Sequence, residues 1–150
     1  MNVEAYRVAE VESFPRLLNA GILYYSKRFS AAAHACACGC GREVITPISP
    51  VQWRLTYDAS GPSLRPSIGN WNFPCRSHYW ITGGRVVWDY DMSDEKIKSG
   101  RAFNAKLRER YFDEQNAREE TPTAPPPAQP QEPPRGLLNR LFQWLTGRSQ

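Results

Sequence analysis

The chain has 150 residues, 41% of them hydrophobic, with 13 prolines, four cysteines and a formal net charge of +4. That size admits one ordinary domain with appendages and enough apolar side chains for a packed core. The positive excess is scattered, with no Lys/Arg cluster resembling a nucleic-acid stripe, and it reads as a solvated surface. Residues 1–12 lack the basic start and apolar run of a secretory signal, and no segment approaches the roughly 20 apolar residues of a transmembrane helix. The expectation is a cytoplasmic protein, where thiols stay reduced and four cysteines serve as ligands rather than disulfides.

In chain order, Ile22-Leu23-Tyr24-Tyr25 reads as a first strand, residues 31–38 as extended chain, and Cys38-Gly39-Cys40-Gly41 as a turn whose glycines relieve the backbone. Residues 43–45 return as a strand. Trp53-Arg54-Leu55-Thr56-Tyr57 alternates apolar and polar as a half-buried strand does. A turn over residues 58–62 leads to a further strand over 63–68. Tyr79-Trp80-Ile81 and Arg85-Val86-Val87-Trp88 flank Thr82-Gly83-Gly84, a hairpin signal. Ser93 is placed to cap a helix over about 93–118, with Asp94 and Glu95 in its first turn. Phe103, Leu107 and Tyr111 recur on one face and predict packing of that helix on the sheet. Residues 121–135 are proline-rich, without a large apolar side chain, and read as a linker. Beyond it, in residues 136–150, Leu137, Leu138, Leu141, Phe142 and Leu145 share one face of a short amphipathic helix suited to a partner groove or a membrane surface. The expected fold is a small β-rich (α+β) domain of antiparallel strands and hairpins around one metal site, followed by one helix.

The metal expectation comes from two clusters of donors. His34, Cys36, Cys38 and Cys40 lie close together, and alternate residues of a strand share a face. Cys75 and His78 form a C-x-x-H pair further on, and two local clusters joined by a loop are how small structural zinc sites are assembled. Tetrahedral zinc needs four donors. Cys75 and His78 are the expected pair, completed by two of Cys36, Cys38 and Cys40, with His34 outside.

Two enzyme readings compete with structural Zn2+. A zinc hydrolase needs an open coordination position and a base, for which Asp58, Asp89 or Glu43 would serve. A Rieske-like iron–sulfur protein shares the C-x-x-H element, but there His follows Cys in the first motif, whereas His34 precedes Cys36. Ser-His-acid catalysis finds no nucleophile elbow around Ser49, Ser67 or Ser77, and these serines read as turn formers. Arg76 and Asn70 are candidates for recognition near the metal, with a surface carboxylate as the other destination for Arg76.

The blocks Ala33-His34-Ala35-Cys36-Ala37-Cys38-Gly39-Cys40-Gly41, Val44-Ile45-Thr46-Pro47, Pro66-Ser67-Ile68-Gly69-Asn70-Trp71 and Pro74-Cys75-Arg76-Ser77-His78-Tyr79-Trp80-Ile81 occur in that order. Over residues 14–88 the chain resembles a family of uncharacterised bacterial domains with a metal-ligand pattern, some members of which stand beside genes for ubiquitin-like modifiers and their E1- and E2-type enzymes. The resemblance implies an accessory role in ubiquitin-like conjugation or antiviral defence. The expectation is therefore a non-enzymatic zinc protein that acts as an adaptor for a protein partner of such a system.

Overall fold

Short runs of alternating apolar and polar residues, each closed by a turn, build two four-stranded sheets. The computed structural model describes residues 2–120. The first sheet has the order β1 (Arg7–Glu10), β2 (Ile22–Ser26), β3 (Ala31–Ala35), β4 (Glu43–Pro47), parallel between β1 and β2 and antiparallel thereafter. The second is an antiparallel meander of β5 (Arg54–Asp58), β6 (Gly61–Gly69), β7 (His78–Thr82) and β8 (Arg85–Trp88). Among the described residues one helix follows, α1 (Asp94–Glu120). No helix among them is long and apolar enough to cross a membrane. The linker expected over 121–135 and the helical tail expected over 136–150 lie outside the described residues.

Both sheets bury side chains in one core. Leu23, Ala32, Cys36 and Val44 of the first half meet Leu64, Ile68, Tyr79 and Ile81 of the second. The segment before β1 stitches the halves together. The Val3 N–H donates to the Ala37 carbonyl, while the Tyr6 N–H donates to that of Gly84 and the Tyr6 hydroxyl to that of Ala35. Strand β3 is buried along nearly its whole length because alanines at 31–33 let neighbouring chain approach. His34, which follows them, is completely buried, with Nε2 2.8 Å from the Tyr79 hydroxyl. Burial disfavours its charged form and draws its pKa down to about 3.

Helix α1 departs from the expected packing. The Ser93 carbonyl and hydroxyl receive the N–H groups of Ile97 and Lys96, so the cap forms. Of the apolar residues, however, Ile97 alone is buried, Leu107 and Tyr111 are half-buried, and Phe103 is 63% exposed. The helix is held by its first turns. Arg101 Nη2 donates to Asn72 Oδ1 at 2.9 Å, and Asp94 pairs with Arg76 at 3.3 Å.

Candidate active site and metal centre

Strand β3 runs out at Ala35 and delivers Cys36 into the core, its N–H bonded to the Arg42 carbonyl at 2.8 Å. The chain then reverses: the Gly39 N–H reaches back to the Cys36 carbonyl, and Gly39 sits at φ 77°, which side-chain-bearing residues rarely adopt. This turn brings Cys38 and Cys40 round to the sulfur of Cys36. The fourth sulfur comes from the loop between β6 and β7. There the Asn70 N–H bonds the Ser77 carbonyl, Phe73 bonds back to Asn70, and Arg76 bonds back to Phe73. Arg76 takes a left-handed φ of 43° and turns the chain between Cys75 and Ser77.

The Sγ atoms of Cys36, Cys38, Cys40 and Cys75 all lie within 4.8 Å of one another. Cys36 and Cys38 are 3.4 Å apart, and Cys40 and Cys75 are 3.9 Å apart. A zinc ion with four sulfurs at about 2.3 Å in a tetrahedron requires edges of about 3.8 Å, so the group could hold a metal ion of that kind. Its polar surroundings suit thiolates. Ser77 Oγ stands 3.1 Å from the sulfur of Cys36 and 3.5 Å from that of Cys75, and Asn70 Nδ2 donates to Cys36 at 3.6 Å. Burial opposes ionisation of Cys75, but hydrogen bonds from Ser77, Cys38 and Cys40 outweigh it and bring its pKa down to about 7. Cys36 and Cys38 are pushed up, chiefly by burial.

One expected donor stands elsewhere, as does His34, the donor expected outside the set. His34 faces Tyr79 across the core. His78, the expected partner of Cys75, opens β7 and is not part of the sulfur group, and both of its ring nitrogens have other partners. Nδ1 lies 2.8 Å from the carbonyl oxygen of Tyr90, and Nε2 lies 3.0 Å from Ser67 Oγ. In place of two first-cluster cysteines plus a histidine, the structure brings together all three of those cysteines with Cys75.

The surroundings of His78 form a second site. A carbonyl oxygen only accepts, so Nδ1 carries the proton and donates it to Tyr90. In that tautomer Nε2 presents its lone pair to the hydroxyl of Ser67. The two residues meet through sheet register: Gly69 of β6 pairs with His78 of β7, and Ser67 lies two residues back on the same strand face. The β6–β7 pairing is irregular between Leu64 and Ile68, and such a bulge re-aims side chains near a site. Asp89, just past β8, places Oδ2 3.6 Å from Nδ1. Its carboxylate is fixed by the Tyr90 N–H at 2.8 Å and the Trp80 indole at 3.3 Å. The ring of Trp71 covers His78 at 4.8 Å between centroids, and the Arg76 guanidinium covers Trp71 in turn. Arg76 also pairs with Asp91 and Asp94 at 3.2 and 3.3 Å, the surface-carboxylate outcome for that residue.

Ser67 and His78 open into a cavity of about 370 Å³, walled by Trp53, Trp71 and the start of α1. That volume is in the range of ligand sites. Gly69 keeps the wall in place, since a Cβ there would meet Trp71 Nε1 at 2.3 Å. Gly69→Ala is expected to displace the indole from His78, shifting the tryptophan emission and lowering stability by about 1–3 kcal/mol in denaturant titration.

A family model described as "Bacterial ubiquitination-like system serine protease (BubE)" matches residues 10–89, more than half of the chain. The chain belongs to the BubE family. No curated protein and no solved structure matches it. The stretch matched by the BubE model holds all four cysteines and all of Ser67, His78 and Asp89. From the sequence, Ser67 reads as a turn former and Asp89 only as a candidate base for a zinc hydrolase, and their approach to His78 emerges only in the structure. Only the register of β6 against β7 pairs Ser67 with His78, and the eight-residue loop over 70–77 hides that register.

Proposed function

We propose that the chain is a serine hydrolase of a bacterial ubiquitination-like system, with Ser67 as nucleophile, His78 as general base and acid, and a structural Zn2+ on Cys36, Cys38, Cys40 and Cys75. The observation that carries this is the 3.0 Å approach of Ser67 Oγ to His78 Nε2 in the one tautomer able to take its proton. The family's description supports the same reaction class. The adaptor reading gives way to it, while the ubiquitin-like setting is kept, and components of that conjugation system are the partners and substrates expected.

The steps follow from the geometry. Ser67 Oγ attacks the carbonyl carbon of the scissile amide, and its proton passes to His78 Nε2. As the tetrahedral intermediate collapses the C–N bond breaks, and the leaving amine takes that proton from Nε2. Water then attacks the acyl-serine, gives one proton to Nε2, and the acyl–oxygen bond breaks. Ser67 recovers its proton and a carboxylic acid leaves. The Tyr90 carbonyl holds Nδ1–H throughout, and the Asp89 carboxylate favours the transient imidazolium.

Zinc on the four thiolates would cross-link the turn after β3 to the loop before β7 and balance thiolate charge. Four sulfur donors leave no open position for a hydrolytic water, which disfavours the zinc-hydrolase reading. The engagement of His78 with Ser67 and Tyr90 likewise removes it from a Rieske-type ligand set. The reading is tested by treating the metal-loaded protein with a fluorophosphonate and locating the adduct by peptide mass spectrometry. Modification of Ser67 is expected, lost in His78→Ala. A folded, metal-loaded protein that stays unmodified at Ser67 would overturn it.

A further inference from the structure

We propose that the groove beside Ser67 selects acidic peptide segments, an inference about substrate class that rests on the hydrolase reading above. Helix α1 lays Lys96, Gly100, Asn104 and Arg108 along one wall at four-residue spacing, with Arg101 beside them. Among the described residues, no acidic side chain lines the cavity. The same helix carries Asp94, Glu95, Glu109, Asp113 and Glu114, none of which lines this cavity, and Asp94, which borders the adjoining pocket, is paired with Arg76.

Among the described residues, Arg101 is tied to Asn72, whereas Lys96 and Arg108 have no acidic partner. Two unpaired cations beside the indoles of Trp53 and Trp71 favour an anionic occupant, because the apolar walls focus their field into the groove. Twelve residues of helix separate the two, a rise of about 18 Å. Extended peptide covers that length in about five or six residues. Between them, one turn on from Lys96, Gly100 presents no side chain, and the position its Cβ would take is open space, leaving room for such a strand to pass. A peptide with two carboxylates about five residues apart is the occupant these features fit. Three cations are too few for a nucleic-acid track, and an amide carbonyl is the group on which Ser67 acts.

The test uses the metal-loaded full chain carrying Ser67→Ala, so that binding is read without turnover, through the emission of Trp53 and Trp71. Two synthetic peptides are compared, one with two glutamates about five residues apart and one with glutamines in their place. The glutamate peptide is expected to bind about 10-fold more tightly at low salt. That margin should shrink as salt screens the charges and should vanish in Lys96→Gln/Arg108→Gln. Equal affinity for the two peptides would overturn the proposal, as would equally tight binding of a single-stranded oligonucleotide at the same site. A glutamate preference without fluorophosphonate modification of Ser67 would sink the hydrolase reading alone, and modification without preference would sink this one alone.

Discussion

Replacing Ser67 by alanine is expected to lower amide or ester turnover by about 10⁵-fold, equivalent to about 7 kcal/mol of transition-state stabilisation. His78→Ala should cost about as much, and the double variant no more than either alone, because nucleophile and base act as one unit. Asp89→Asn should be milder, about 10- to 100-fold. In serine enzymes where a carboxylate alone orients the base, losing it also loses the tautomer. Here the carbonyl of Tyr90, 2.8 Å from Nδ1, sets the tautomer, while Asp89 stands off at 3.6 Å with 36% of its side chain exposed and its field screened accordingly. Steady-state kinetics on a conjugate of the ubiquitin-like modifier, or on an activated ester, reads all four variants. An Asp89→Asn loss as large as that of His78→Ala would show that the carboxylate, not the carbonyl, orients the ring.

Stripping the metal with a chelator is expected to abolish cooperative thermal unfolding. Structural zinc contributes about 10–16 kcal/mol in small domains, and a domain of this size has a net stability of about 5–15 kcal/mol. The four sulfurs join the end of β3 to the loop between β6 and β7, which are otherwise distant in sequence. Cys36→Ser should be the most damaging single change, since Cys36 is fully buried, and Cys40→Ser the mildest, since Cys40 is exposed. His78→Gln should retain one equivalent of metal and a near-normal melting temperature while losing activity. Circular dichroism with elemental analysis reads these outcomes. A metal-free preparation that melts as sharply and as high as the loaded one would remove the structural role.

Much of the fold was legible because its signals are local. The Gly83–Gly84 turn announced β7 and β8, and the alternation at residues 53–57 announced β5. Strand β1 was not, since Arg7 and Glu10 bracket only two apolar residues and its parallel pairing with β2 crosses a long connection. The cysteine clustering was visible as composition, but the C-x-x-H spacing misled. It suggests one turn gripping one ion, whereas Arg76 takes a left-handed φ between them, Cys75 lies with the other three sulfurs and His78 bonds Ser67 and Tyr90. Ser67 read as a turn former for a related reason. No local motif marks Ser67, whose partner is chosen by cross-strand register and by an irregularity in that register. The helix stripe at Phe103, Leu107 and Tyr111 has the right period, but Phe103 is exposed and Leu107 and Tyr111 are only half-buried, so periodicity there overstated burial.

The short run from Cys75 to His78 has one more implication. Three peptide units span at most about 11 Å, so the reactive imidazole is on a tether too brief to stay still while its sulfur end swings free. Under the proposed hydrolase reading, a chain with no ion on its four sulfurs would hold His78 less firmly opposite Ser67.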